Sequence, residues 1–198
     1  MSWVNRLNRS IVALALITWL AGCASRSEPQ EDAALEQSKA QAIEESLAQD
    51  FSMAVDAMEA DSHEFAMEQF QVLHELHPER TGPLANLGIL ALEAGERGQA
   101  KAHFEHVVAL DSAHAAALNH LGVIARSEGE FAKAEGYYRE ALAAEPNYLP
   151  AMMNLAILLD IYLGRPGDAL PLYEQYQSMA EEPNPRLKDW IFDARNRI

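Results

Sequence analysis

The sequence predicts an all-α fold made of repeated helix pairs and closed by a capping helix. The first observation is a repeat of 34 residues, which appears when the triplet HLG at 120–122 is aligned with NLG at 86–88. The second is that small residues recur at the eighth and twentieth positions of each repeat. The third is an aromatic residue at the twenty-fourth position. Because self-similarity with a period of about 20–50 residues is typical of stacked repeats, we predict a solenoid.

Residues 1–22 predict an export signal peptide. Arg6 and Arg9 precede the apolar stretch at 11–20, and a basic region followed by a short apolar region is typical of secretory signals. A membrane-spanning helix needs about 20 apolar residues, so this stretch is too short to span a bilayer. One interpretation of this pattern is a cleaved secretory signal followed by a free cysteine.

The only cysteine, Cys23, follows Leu-Ala-Gly. This tetrapeptide resembles the lipobox of Gram-negative bacterial lipoproteins, in which the signal is cleaved before the cysteine and the cysteine is acylated. The resemblance implies that Cys23 is the first residue of the mature chain and carries a lipid anchor. In that family an aspartate after the cysteine favours the inner membrane, and Ala24 therefore implies the outer membrane, with the protein facing the periplasm.

The polar segment 23–32 contains a proline and few apolar residues, which predicts a flexible tether. All 30 acidic residues follow Cys23, whereas Arg6 and Arg9 of the 15 basic residues precede it, so the mature chain has a formal charge of −17. A field of this sign repels phosphate backbones. The charge therefore excludes nucleic acid as a partner.

The repeat divides the rest of the chain into consecutive blocks. We place the blocks at 47–80, 81–114, 115–148 and 149–183, with a helix at 33–46 before them and a capping helix at 184–198 after them. The first block diverges from the others, and the fourth has one extra residue around 161–164. No helix-breaking residue separates 33–46 from the first block, so the sequence is compatible with one long helix or with two shorter helices.

Small and aromatic residues recur at fixed block positions. The eighth position carries Ala54, Gly88, Gly122 and Ala156, the twentieth carries Ala66, Ala100 and Ala134, and the twenty-fourth carries Phe70, Phe104 and Tyr138. Two helices pack closely only where small side chains meet, so we expect Gly122 to face Ala134 at the helix crossing. Tyr138 is expected to fill the space between its block and the next.

The pattern resembles the tetratricopeptide repeat, and the third block matches it best. The matching residues there are Leu118, Leu121, Gly122, Ala125, Ala134, Tyr138, Ala141 and Pro146. The resemblance implies a right-handed α-solenoid of helix-turn-helix units.

Glycine and proline residues mark the predicted helix ends. Gly95, Gly129 and Gly164 fall where the first helix of a block must stop and turn, since glycine accepts a left-handed cap conformation. Near the C-terminus, Asn184 and Pro185 are suited to begin a helix. Its apolar residues fall on one face, as expected for a lid on the last block: Leu187, Trp190, Ile191 and Ala194.

The resemblance also implies a concave groove lined by the first helices, in which family members hold a protein or peptide segment. The implied groove residues are Ala85, Asn86, Ile89, Leu92, Asn119, His120, Val123, Arg126, Met153, Asn154, Ile157 and Asp160. We expect the three asparagines to bond the backbone of a bound segment, since an amide both donates and accepts. The alternative is that the apolar members only pack against adjoining helices.

Candidate catalytic and metal sites are absent from the sequence patterns. The histidine pairs His74/His77 and His103/His106 have a spacing of three residues on a helix, which can place two imidazoles on one metal. Neither pair forms an H-E-x-x-H motif and no third ligand is evident, so we interpret these histidines as solvated surface residues. We therefore predict no enzyme activity, no cofactor and no metal.

These observations favour a non-catalytic adaptor or assembly factor in a cell-envelope complex. The chain resembles repeat-containing lipoproteins that assist secretin assembly for type IV pili, and others that scaffold cell-wall hydrolases. A metal-dependent envelope hydrolase and a structural homodimer are the alternatives from other classes.

Overall fold

The computed structural model describes residues 28–182 and 184–198, and the regular structure in those residues is helical throughout. The signal peptide and Cys23 lie outside the described residues. The helices are α1 (Glu28–Glu59), α2 (His63–Leu76), α3 (Thr81–Glu93), α4 (Arg97–Leu110), α5 (Ala115–Ser127), α6 (Phe131–Ala144), α7 (Leu149–Ile157), a π-helical turn (Leu158–Tyr162), α8 (Pro166–Met179) and α9 (Leu187–Asn196). The predicted all-α solenoid of helix pairs is confirmed.

The chain divides into two compact units, residues 1–49 and 50–198. In the first unit the described part is helical, and nearly all of its side chains are exposed. In the second unit each helix packs on its sequence neighbour, with the most extensive contacts between α3 and α4 and between α5 and α6. Among the described residues, no helix is long and apolar enough to cross a membrane.

Helix α1 runs without a break from Glu28 to Glu59. This decides between the two alternatives left by the sequence, because residues 30–59 contain neither glycine nor proline. It also corrects the tether assigned to 23–32, whose last five residues are helical. Proline at position 29 is compatible with the first turn of a helix.

Each of two helix pairs interlocks at a glycine. A Cβ added at Gly122 would lie 2.5 Å from Cε1 of Tyr138, and one added at Gly88 would lie 2.7 Å from the ring of Phe104. Both rings are fully buried. The glycine in the first helix therefore makes room for the aromatic ring of the second helix in the same block. Ala134, predicted to face Gly122, is fully buried in the same core as Tyr138.

The turns after the first helices follow the glycine prediction. Gly95, Gly129 and Gly164 have φ values of 78°, 80° and 62°, a left-handed conformation that carries a cost for any side chain with a Cβ. At the first of these turns the N–H of Gly95 donates to the carbonyl of Leu92 at 3.0 Å, so the last turn of α3 is closed.

The fourth block accommodates its extra residue in the π-helical turn Leu158–Tyr162. The N–H of Leu163 donates to the carbonyl of Leu158 at 3.0 Å, a bond between residues five apart. A π-turn holds one residue more than an α-turn, so the insertion widens the helix locally instead of lengthening the loop.

The predicted C-terminal cap is present as α9, although it begins at Leu187 rather than at 184. The side chain of Asn184 accepts a hydrogen bond from the N–H of Arg186 at 2.9 Å, which forms a turn before the helix starts. Leu187, Ile191 and Ala194 are buried. Helix α9 packs on α8 and joins the core of the third and fourth blocks.

Candidate protein-binding groove

The predicted groove residues lie on α3, α5, α7 and the π-helical turn, and α5 is in direct contact with α7. Ten of these twelve residues are half-buried, and the other two, Asn119 and Asp160, are buried. Half-burial means that each of the ten side chains has one part in the protein and one part in solvent. We call the ten half-buried residues the inner row.

The apolar members of the inner row pack against the core and also expose surface. Ala85, Ile89 and Leu92 pack against the core shared by the second and third blocks. Val123, Met153 and Ile157 pack against the core shared by the third and fourth blocks. The same residues can therefore pack in the core and bind a partner, because only the buried part of each side chain contacts the core.

The asparagines bond to their own chain. The side-chain amide of Asn154 donates to Oδ1 of Asn119 at 2.9 Å, and that of Asn86 donates to the carbonyl of Gly82 at 3.0 Å. Asn119 is only 4% exposed. This corrects the expectation that Asn119 itself bonds a partner, since its contact holds the half-buried Asn154 in place. Asn154 retains a side-chain carbonyl that can accept a hydrogen bond.

Asp160 does not line a groove, which corrects the prediction from its block position. Its carboxylate accepts from Nη2 of Arg197 at 2.6 Å and from the hydroxyl of Tyr173 at 3.3 Å. A buried carboxylate is stable only when paired and hydrogen-bonded, and the segment after α9 supplies the pairing cation. Asp160 is therefore a structural residue that fixes the C-terminal end of the chain.

His120 stacks on Phe104, with the ring centroids 4.7 Å apart and the planes nearly parallel at 9°. Burial lowers the pKa of His120, and the nearby His114 lowers it further. The neutral imidazole is therefore favoured at neutral pH. His120 contributes a flat surface to the inner row rather than a positive charge.

Arg126 lies over the ring of Tyr162, with its guanidinium carbon 5.6 Å from the ring centroid. The same ring contacts Phe131 at a centroid distance of 5.3 Å. Tyr162 and Phe131 were not predicted as site residues. The signal that could have found them is the extra residue at 161–164, because an insertion in a regular repeat displaces the side chains beside it.

The structure brings histidines together differently from the sequence pairs. The rings of His74 and His106, from α2 and α4, are 5.6 Å apart. Burial lowers the pKa of His103, as do His74 and His106. The interpretation as solvated residues is wrong for three of the four histidines, since His74, His77 and His103 are half-buried and His106 is exposed. Within residues 28–182 and 184–198, no group of three or more His, Cys, Asp or Glu side chains is placed to hold a metal.

Comparison with known proteins agrees with the geometry of the helix pairs. Residues 86–148 match the tetratricopeptide repeat family. The matched segment covers most of α3 to α6, and these helix pairs have the tetratricopeptide fold. No curated protein matches the chain by sequence.

Solved structures share the same fold over most of the chain. One is pilF of Pseudomonas aeruginosa, with a TM-score of 0.68 and 17% identity over 78% of this chain and 69% of that one. Another is the MamA protein, with a TM-score of 0.63 and 20% identity over 77% of this chain and 82% of that one. A third is YrrB, described as a tetratricopeptide protein with an unusual peptide-binding site, with a TM-score of 0.58 and 20% identity over 65% of this chain and 70% of that one.

Proposed function

We propose that the protein is a non-catalytic adaptor or assembly factor that binds a protein or peptide segment along its inner row. The observation that carries the proposal is the row itself, in which half-buried apolar side chains alternate with Asn154 and Arg126. Apolar surface takes up side chains of a bound segment, and the amide and guanidinium orient its polar groups. The tetratricopeptide fold is typical of protein-interaction adaptors, and the peptide site named for YrrB supports this use of the fold.

The proposed location is the periplasmic face of the outer membrane, with the chain anchored by lipid on Cys23. The lipobox-like LAGC and the following Ala24 support it. One acyl chain gives only weak membrane binding, whereas two or more anchor a protein stably. Such an anchor places the inner row where envelope complexes are assembled.

For the pathway we propose pilus or secretion biogenesis, and the likeness in fold to pilF motivates this choice. Scaffolding or activation of peptidoglycan enzymes is the second candidate, because the same groove would serve it. A metal-dependent hydrolase is the third candidate, and it requires ligands drawn together from separate repeats.

Charging the inner row is expected to abolish partner capture without unfolding the protein. The variant is Val123→Lys with Ile157→Lys, because both side chains are half-buried and Asn119 is too buried to be substituted cleanly. A lysine can extend its charged end into water, so the fold tolerates it, but the groove loses its apolar surface. The measurement is photo-crosslinking in intact cells from an unnatural residue at Ile89, read by mass spectrometry.

A matched control for this experiment is Ala102→Lys with Gln175→Lys, which adds the same charge on α4 and α8, away from the inner row. The control should retain the crosslinked partner. If the inner-row variant keeps the same partners at the same yield, the groove is not the binding surface.

Replacing Cys23 by serine is expected to move the protein from the membrane fraction to the soluble periplasmic fraction. Serine cannot form the thioether that carries the lipid, and each buried CH₂ lost removes about 0.8 kcal/mol of membrane affinity. Cell fractionation measures the shift, and Ala24→Asp serves as a second variant that should relocate the protein to the inner membrane. Retention of the serine variant in the outer membrane would contradict lipid anchoring at this residue.

A further inference from the structure

A cluster of exposed and half-buried side chains surrounds the π-helical turn. Ile161 is 64% exposed and Tyr162 is 47% exposed, although both side chains are large and mainly apolar. Tyr162 contacts Phe131 and lies beneath the guanidinium of Arg126. We call Arg126, Phe131, Ile161 and Tyr162 the aromatic platform. It lies where α5 ends, α6 begins and the first helix of the fourth block ends.

The aromatic platform is specific to the fourth block. The residues equivalent to Ile161 and Tyr162 are Glu93 and Ala94 in the second block, and Ser127 and Glu128 in the third. Neither of those two blocks has the surplus residue or the π-turn. Single exposed apolar residues need no explanation, whereas the exposed ring of Tyr162 is in contact with Phe131 and lies beneath a guanidinium. The π-turn is a second indication, because such turns are frequent at functional sites.

The charge of Arg126 is not neutralised by the acidic residues near it in sequence. Glu128 pairs with Lys101 at 3.2 Å, and Glu130 pairs with Lys133 at 2.8 Å. Among the described residues no carboxylate lies within ion-pair distance of Arg126. In a chain with a net charge of −15, a half-buried guanidinium without a carboxylate is available to an anion from outside.

An open, shallow surface and a buried hydroxyl adjoin the aromatic platform. An open depression of about 520 Å³ is lined by residues 129–133 and includes Phe131. The hydroxyl of Tyr138 is buried and has no hydrogen-bond partner among the described residues. Burial raises the pKa of Tyr138 to about 12, and Arg126 and Tyr162 are its electrostatic neighbours. The phenol of Tyr138 therefore keeps its proton beside the guanidinium of Arg126.

We propose that the aromatic platform is the anchor point for the bound segment, and that it selects a linear protein segment carrying a large apolar side chain next to a carboxylate. The apolar side chain would rest on Ile161, Tyr162 and Phe131, and the carboxylate would bind Arg126. The ring of Tyr162 holds the guanidinium by a cation–π contact, so little order is lost when the anion binds. This proposal rests on the proposed function of the inner row, which it deepens.

The test begins with selection of a phage-displayed library of random linear peptides on the purified full-length protein in detergent. We expect the selected peptides to share an aromatic or large aliphatic residue adjacent to Asp or Glu. Tyr162→Ser and Arg126→Gln should each weaken a selected synthetic peptide about tenfold. Phe192→Ala should leave its affinity unchanged, since it removes an exposed side chain on α9.

A peptide with its carboxylate replaced by the amide separates a direct contact from an indirect one. The amide peptide should bind the unaltered protein as weakly as the acidic peptide binds the Arg126→Gln variant. The Arg126→Gln variant should bind the acidic peptide and the amide peptide with equal affinity. Thermal unfolding of each variant confirms that the platform substitutions leave the fold intact.

Two results would overturn the platform while sparing the groove. In the first, peptides lose binding with Val123→Lys and Ile157→Lys but not with the platform variants. In the second, Tyr162→Ser converts a dimer to a monomer by light scattering, which would make a second copy of the chain the occupant. Failure to select any peptide, or binding that survives both sets of variants, would count against the inner row as well.

Discussion

Replacing Gly122 by alanine is expected to lower the free energy of unfolding by about 1–3 kcal/mol, because the added methyl group overpacks the helix crossing. Its Cβ would lie 2.5 Å from Cε1 and 2.7 Å from Cδ1 of Tyr138, closer than van der Waals contact allows. The ring of Tyr138 is fully buried, so it cannot relieve the clash by turning into solvent without leaving the core. Gly122→Leu should be worse, since a larger side chain must fit in the same place.

Gly136 provides the matched control, because it is also inside a helix and a methyl group added there would meet no neighbouring residue within 4 Å. Gly136→Ala should raise the free energy of unfolding by about 0.5–1 kcal/mol through helix propensity alone. Urea unfolding followed by circular dichroism measures both changes. Combining Gly122→Ala with Tyr138→Leu should recover part of the loss, and equal effects of alanine at the two glycines would refute the interlocking.

Removing the buried side chains of the cap is the second large effect. Leu187→Ala with Ile191→Ala should lower the free energy of unfolding by at least about 4 kcal/mol, since each deletion costs about 2–5 kcal/mol in a core. Leu187 is fully buried and Ile191 is 6% exposed. The loss also loosens the segment that carries Arg197, whose guanidinium pairs with the buried Asp160. A solenoid end without its cap exposes apolar surface, so we expect aggregation as well.

Phe192→Ala on the same helix is the control, because Phe192 is 68% exposed. It should change the free energy of unfolding by less than about 0.5 kcal/mol. Thermal unfolding and light scattering of the three proteins are the measurements. If the double variant unfolds at the same temperature as the Phe192 variant, α9 is not part of the cooperative core.

The sequence pattern was sufficient for the repeat architecture because each repeat is specified locally. The 34-residue period, the glycines at turns and the apolar face of the cap all follow from spacing within a few turns of helix. The same local logic explains why α1 begins earlier than predicted: residues 28–32 lack any helix-breaking feature except Pro29, and proline is tolerated in a first turn. Local rules therefore specify where helices form and stop.

The repeat pattern could not predict contacts between residues that are far apart in the sequence. Asp160 was assigned to the groove from its block position, but its partner Arg197 follows 37 residues later in a segment outside the repeats. The bond between Asn119 and Asn154 joins neighbouring blocks across 35 residues. Periodicity tells which face a residue takes, but not whether a second side chain covers it. The aromatic platform was missed for a related reason, because a pattern shared by all blocks does not describe a feature that only the fourth block has.

The π-helical turn in the fourth block has a consequence for how the chain can change length. In an α-helix each added residue rotates the residues after it in the same helix by about 100°, which would change the direction in which the chain leaves the first helix of the fourth block. On α8, Ala169 and Tyr173 occupy the twentieth and twenty-fourth positions of the fourth block one residue late, and both are buried. The π-helical turn takes up the rotation caused by the extra residue within its five residues. Insertion and deletion at this one site are thereby uncoupled from the rest of the array, so a new surface can evolve there without re-fitting the helices that follow.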